Sequence, residues 1–256
     1  TLEELLASKV ALPSIPKVIA LLLSELDRDE PDLKKISQLI NTDPVLTTRL
    51  LKLANSAQSQ LANKIGSVSE ALALMGLNQV RSLTTAAAVA RAFKAVPGMD
   101  MHQYWGYSHN VGKLSRMLSG MIRQNQGAAF TAGLIHCIGE LVLHLGMPTE
   151  MATLNQQISP FDPKRVAAER RLLGYSYADV GSGFAREWQF PQPIVDALEN
   201  QCRPFENDVY EPMAGVLHLA VWRGRAKEAG YNDEDLTSHF PDAVALALGI
   251  DIDMAL

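Results

Sequence analysis

No stretch of this chain alternates apolar and polar residues as a half-buried strand would. Its apolar residues recur at three- and four-residue spacing, in runs stopped and restarted by proline, aspartate and glycine. Val18, Ile19, Leu21, Leu22, Leu23 and Leu26 make one such run, closed by Asp27-Arg28-Asp29-Glu30. Leu33, Ile36, Leu39 and Ile40 make the next, after Pro31. Asn41-Thr42-Asp43-Pro44 then supplies both a stop and a start, with Asp43 as N-cap and Pro44 in the first helical position. Ser67-Val68-Ser69-Glu70 predicts a capping box, Gly76 a helix C-terminus, and Asn78 a cap for a helix over Val80–Phe93. A first helix is predicted over Leu2–Val10, and a long one over Met101–Gln124. A central one spans Ala128–Leu145, and others begin near Pro148, Asp162, Ser176, Pro191 and Pro212. The tail carries short pieces that Thr237 or Asp242 could cap. The fold class is all-α and multi-helical, with a joint at Pro97-Gly98 dividing an amino-terminal helical lobe, residues 1–97, from a helical core, residues 98–256.

At 256 residues with 47% hydrophobic and 20% charged content, such a chain buries a core large enough to dispense with disulfides and structural metal. Cys137 and Cys202 lie far apart, and no signal peptide precedes them, which points to a reducing compartment and a cytoplasmic location. The start at Thr1 rather than a methionine suggests that the native amino terminus lies further upstream. Charged residues are expected to break the apolar runs before the ~18 residues that a membrane span requires, so no membrane association is expected. A formal net charge of −5 argues against general nucleic-acid binding.

The common catalytic signatures are missing: no Gly-rich phosphate loop, Cys-x-x-Cys pair or Gly-x-Ser-x-Gly elbow occurs. What remains is histidine and cysteine. In the apolar run Gly133-Leu134-Ile135-His136-Cys137-Ile138-Gly139, a His followed by an Asp would offer one divalent cation a nitrogen and a hard oxygen; here the second residue is a thiol. His109 sits in Tyr107-Ser108-His109-Asn110-Val111, on a helix with Val111, Leu114 and Leu118. A lone histidine in such a helix is most often a satisfied core or near-surface residue. Lys164-Arg165, Arg170-Arg171, Arg223, Arg225 and Lys227 could form a basic face for an acidic partner or a phosphorylated ligand, or be solvated faces interleaved with Asp162, Glu169 and Glu228. Trp105, Trp188 and Trp222 could line a pocket, with Trp188, next to Phe190-Pro191, read as a core anchor at a helix end.

The spacing from His109 to His136-Cys137 resembles that of the HD superfamily of metal-dependent phosphohydrolases. The chain as a whole is more similar to the HDOD branch, the HD-related output domains of bacterial signalling proteins. The matching segments are Leu12–Pro16, Ile36–Pro44, Leu50–Ser56, Ile65–Ala71, Met75–Leu77, Ala132–His136 and Trp188–Pro204. The resemblance implies a single domain over residues 1–256, and it places the metal ligands of HD enzymes on His109, His136, Cys137, Tyr177, Gln201, Cys202 and Val221. Both carboxylates and the second-metal histidines are then lost. Hydrolysis of a phosphodiester needs an open cation site and an activated water, so the resemblance implies a vestigial metal site, no enzyme activity and no cofactor.

The expected function is a non-catalytic output or scaffold module that binds an unidentified signalling protein, a nucleotide or another small ligand. The alternative is a metal-dependent phosphohydrolase with a site redrawn around His109, His136, Cys137 and Cys202, the donor composition of a tetrahedral zinc site. The two cysteines could also be small buried hydrophobes or a redox pair.

Overall fold

The computed structural model describes residues 1–8, 16–57, 65–188, 190–206 and 210–255. The predicted positions Leu12–Ile15, and the end of the first predicted helix at Lys9 and Val10, lie outside them. Among the described residues every regular element is a helix. The chain divides into two compact units, one formed by Ser14–Ala92 and the other by Thr1–Pro13 together with Phe93–Leu256.

The first helix, α1 (Leu2–Leu6), belongs to the larger unit and begins with a reciprocal capping box between Thr1 and Glu4. The smaller unit holds α2 (Lys17–Leu26), α3 (Leu33–Asn41), α4 (Pro44–Ala57), α5 (Val68–Met75) and α6 (Leu77–Ala92). Ile19, Leu22, Leu26, Ile36, Ile40, Leu46 and Leu50, which carry its helical periodicity, are buried. Asp43 caps α4 as expected, accepting the amides of Val45 and Leu46 at 3.1 and 3.0 Å, and it also receives Arg91 Nη2 at 2.8 Å. That contact holds the Asp43 carboxyl at about 2. Ser67 caps α5, but Glu70 reaches back to the Gly66 amide instead of closing the box on Ser67. Gly76 ends α5 at φ 75, a conformation that glycine adopts without steric cost. The next helix follows at once, so Asn78 lies inside its first turn and caps nothing.

The larger unit continues with α7 (Met101–Met121), α8 (Gln126–Ile135), α9 (Ile138–Gly146), α10 (Pro148–Gln157), α11 (Arg165–Leu173), α12 (Tyr177–Glu187), α13 (Gln192–Asn200), α14 (Pro212–Glu228), α15 (Asp233–Ser238), α16 (Asp242–Leu248) and α17 (Ile252–Ala255). Asn232 and Pro241 sit at the N-caps of α15 and α16, in place of the predicted Thr237 and Asp242. Trp188 closes α12 as the expected core anchor, 4.5 Å from the Phe184 ring.

The central segment departs from expectation. It is two helices, α8 and α9, broken at His136-Cys137. The His136 imidazole turns back onto the carbonyl of Gly133, at 2.6 Å, and occupies the acceptor that the next helical N–H would use. Together Gln126–Gly146 is long and apolar enough to cross a bilayer, with mean hydropathy 1.5, which corrects the expectation that charges break every such run; 83% of it is buried inside the fold.

Glycines set how closely this pair packs. A Cβ on Gly133 would stand 2.7 Å from Gly112 Cα and Ser115 Oγ of α7, and one on Gly139 would stand 1.9 Å from the Tyr177 carbonyl oxygen of α12. Both helix crossings are therefore backbone against backbone. Gly139→Ala is expected to cost at least about 3 kcal/mol in urea unfolding, because backbone cannot give way as a flexible side chain does. Gly106→Ala, with open space around it, serves as the control and should be neutral or stabilising by roughly 0.5–1 kcal/mol. Equal losses in the two variants would show that the Gly139 contact does not constrain the packing.

Candidate functional site

The break between α8 and α9 delivers His136, fully buried, among α7, α12, α13 and α14. Its two ring nitrogens are both engaged. A carbonyl can only accept, so Nδ1 carries the proton and donates to Gly133 O. Nε2 accepts from the Tyr107 hydroxyl at 3.0 Å. Burial holds the imidazole down to about 3, with the Arg225 guanidinium adding to the shift, so the ring is neutral throughout the physiological range.

Gln201, the C-cap of α13, bridges the surroundings. Its Nε2 donates to the carbonyls of His136 and Leu198 at 3.1 and 3.0 Å, and its Oε1 accepts the Tyr177 hydroxyl at 3.3 Å. The Gln201 carbonyl takes the Nδ1–H of His218 at 2.7 Å. Tyr177 opens α12, and its amide donates to Glu169 Oε2 at 2.7 Å. Beneath it lies a buried ionic cluster: Arg165 grips Glu140 through Nε–Oε1 at 2.8 Å and Nη2–Oε2 at 3.0 Å, and shares Nε with Glu169 at 3.0 Å. Burial and the Glu140 charge push Glu169 well above the usual carboxylate range. Burial acts the same way on Glu140 but is outweighed by Arg165, which keeps it below that range. One guanidinium thus holds two neighbouring carboxylates that titrate as a pair, favouring the ionised form of Glu140 over that of Glu169.

Of the positions carried over from the HD ligands, His136, Tyr177, Gln201 and Val221 are buried, as is Cys137, while Cys202 is half-buried. His109 does not join them. It is exposed, beside Lys113, with its ring edge-on to Phe130 at 5.9 Å. The cause is helical geometry: Tyr104, Tyr107, Ser108 and Val111 face inward, and His109, two residues from Tyr107, lies about 200° around the helix from it. The side chain of α7 that meets His136 is Tyr107. Burial pushes the Cys137 thiol up, and Cys202 is pushed up to about 12 by the same cause, so neither is a thiolate at neutral pH. Both cysteines are unpaired. Among the described residues no three His, Cys, Asp or Glu side chains converge as metal ligands, and the two-nitrogen, two-sulfur set is not assembled because His109 is on the outer face. Neither the solvated face nor the basic face read for Arg165 and Arg225 holds, since both are core residues.

Tyr107 and Glu140 were not among the expected site positions, and Arg165, Glu169 and Arg225 were read on a surface face instead of in this centre. Tyr104, Tyr107 and Val111 do share a helix face by spacing. Glu140 was the more visible signal, a carboxylate inside the longest apolar run.

An all-α body in which a glycine-flanked, interrupted helix carries a buried histidine between packed helices is an HD-like helical fold. The HDOD domain profile matches residues 12–204, and the chain belongs to that family. A Shewanella amazonensis protein provisionally named a phosphohydrolase is 30% identical, with a TM-score of 0.77 over 98% of this chain and 91% of its own. An HDOD domain protein of unknown function from Geobacter sulfurreducens is 21% identical, with a TM-score of 0.74 over 100% of this chain and 93% of its own. The latter similarity concerns the fold. An uncharacterized Treponema pallidum protein is 22% identical over 82% of this chain and 41% of its own length. The Bacillus subtilis protein YuxH is 37% identical over 23% of this chain and 15% of its own. This chain therefore spans less than half the length of these curated relatives.

Replacing His136 tests the electrostatics. A histidine held at about 3 when folded, against ~6.5 when unfolded, leaves the unfolded chain binding the extra proton between those values. Its contribution is complete above pH ~6.5 and is lost as pH falls toward 3, by up to ~1.4 kcal/mol per pH unit. His136→Gln should flatten the urea-derived stability profile between pH 6.5 and 4.5 by about that slope; an unchanged slope would mean that His136 is protonated in the folded protein.

Proposed function

We propose that this chain is a non-catalytic output domain of bacterial signal transduction, acting in the cytoplasm as one HDOD domain over residues 1–256 through binding of a partner protein or small ligand. Its HD metal site is vestigial. The observation that carries this reading is the engagement of His136: one nitrogen donates to Gly133 and the other accepts from Tyr107, which leaves no lone pair for a cation. Cys137, at the carboxylate position, is a fully buried thiol that burial and the Glu140 charge keep protonated, and Val221 has no donor atom. Metal-assisted hydrolysis needs a cation with an open position and a water of lowered pKa, and these side chains provide for neither.

The names borne by similar proteins cover both signal transduction and phosphohydrolysis, so the test is made against hydrolysis. Protein purified without a metal-affinity tag, from cells supplied with iron, manganese and zinc, is expected to hold less than about a tenth of an equivalent of each by plasma mass spectrometry. It should also show no phosphodiesterase activity with added metal. Near one equivalent of metal, lost in His136→Ala together with a measurable hydrolytic rate, would replace this reading by that of an enzyme with a redrawn site.

A further inference from the structure

Arg225 is buried in the same centre, on α14, with its guanidinium 5.0 Å from the centroid of the Tyr177 ring. Nη1 donates to the Asp162 carbonyl. Nε and Nη2 have no hydrogen-bond partner, and among the described residues no carboxylate pairs with this side chain. The Tyr107 hydroxyl interacts with the guanidinium without reaching hydrogen-bonding geometry at either free nitrogen, and its proton is committed to His136.

The two free nitrogens are the ones whose N–H bonds leave the guanidinium side by side, the fork that takes two oxygens of one carboxylate or phosphate. The larger unit shows what such an edge does when filled. In Arg165, also fully buried, Nε and Nη2 hold the two oxygens of Glu140 at 2.8 and 3.0 Å. The corresponding edge of Arg225 is unfilled.

Its position is fixed. Gly224 brings α14 so close to α7 that a Cβ there would stand 2.7 Å from Val111 Cγ2 and 3.1 Å from Tyr107 Cε2. The Arg225 side chain itself is enclosed, with only 3% of it exposed, the Asp162 carbonyl on Nη1 and the Tyr177 ring beside the guanidinium. No anion is bonded to it: the nearby carboxylates, Glu140 and Glu169, are both hydrogen-bonded to Arg165 instead, His136 is neutral, and the Cys137 and Cys202 thiols stay protonated. A buried guanidinium edge with two unpartnered donors is unfavourable even with carboxylates in the neighbourhood, so a fold that keeps one there has a use for an anion bonded to it. Cys202 and His218, by contrast with the rest of the centre, are only half-buried.

We propose that the side-on edge of Arg225, framed by Tyr107, Tyr177 and Cys202, is a binding site for a single oxyanion group, a carboxylate or a phosphate, held through Nε and Nη2 together. The group would belong to a small ligand entering past Cys202 and His218. The inference rests on the reading that no metal occupies this centre, and it requires no partner protein.

The probes are inorganic phosphate and acetate, with chloride balancing ionic strength, measured by isothermal titration calorimetry and thermal unfolding on the whole chain. One of the two is expected to bind saturably at one per chain and to raise Tm by several degrees when it is in hundredfold excess over Kd. Whichever binds identifies the headgroup. Arg225→Lys, which keeps the charge and loses the fork, should weaken binding at least about tenfold, and Arg225→Met should abolish it while remaining folded, because an apolar replacement removes the two unpartnered buried donors. Absence of saturable binding by both anions overturns the proposal, as does equal binding by wild type and Arg225→Met. Metal analysis of the same samples separates the two readings: stoichiometric metal contradicts the non-catalytic function, whereas metal-free protein that binds neither anion contradicts the oxyanion site alone.

Discussion

The hydrogen bond from Tyr107 to His136 closes the centre of this helical core, and most of what surrounds it follows from that closure. With Nε2 occupied, the imidazole is bound at both ends to protein atoms of its own unit, and with Nδ1 turned onto Gly133 it breaks the helix that carries it. The break makes Cys137 the N-cap of a new helix instead of a neighbour on the same one. The new helix points Glu140 at Arg165 and places Gly139 against the backbone of Tyr177. A histidine that in another setting could coordinate a cation here joins four helices.

The charge pattern points the same way. Burying ionised groups is tolerated when each finds a partner, and Arg165 achieves this by holding Glu140 through both oxygens while Glu169, its affinity for a proton raised by burial and by Glu140, is bonded beside it. His144 extends the cluster, donating through Nδ1 to the Glu140 carbonyl and accepting Asn155 at Nε2, and it too is held neutral by burial. Arg225 departs from Arg165: one edge of its guanidinium has no partner, as is also true of neutral buried groups such as the Tyr104 and Ser108 hydroxyls, but here the unpartnered group is charged.

How much of this was legible follows from what each feature depends on. Helix class, most boundaries and the Asp43 and Gly76 signals were readable because they are set within a few residues of chain. The family was legible from short motifs spread along the sequence, and the matched region includes them. The inward face of α7 differs from the one that the resemblance implies through His109, although helical spacing alone puts Tyr107, and not His109, with Tyr104 and Val111. The break at His136 was not legible, since it depends on a side chain competing for a backbone acceptor inside an uninterrupted apolar run. The burial of Arg165 and Arg225 was hidden too, because a basic residue on a helix looks the same in sequence whether its partner is water or a carboxylate from a distant helix.

The most direct test of the account is the state of the His136 ring, read from its nitrogen chemical shifts by NMR between pH 8 and 5, with and without added manganese or zinc. The account predicts a neutral ring protonated at Nδ1, with no titration in that range, and for zinc no shift of the Nε2 signal. For manganese it predicts no paramagnetic broadening of that signal. Titration near the ordinary histidine value, or a metal-dependent change at Nε2, would show that the Tyr107 bond does not close the site and that His136 remains available as a ligand.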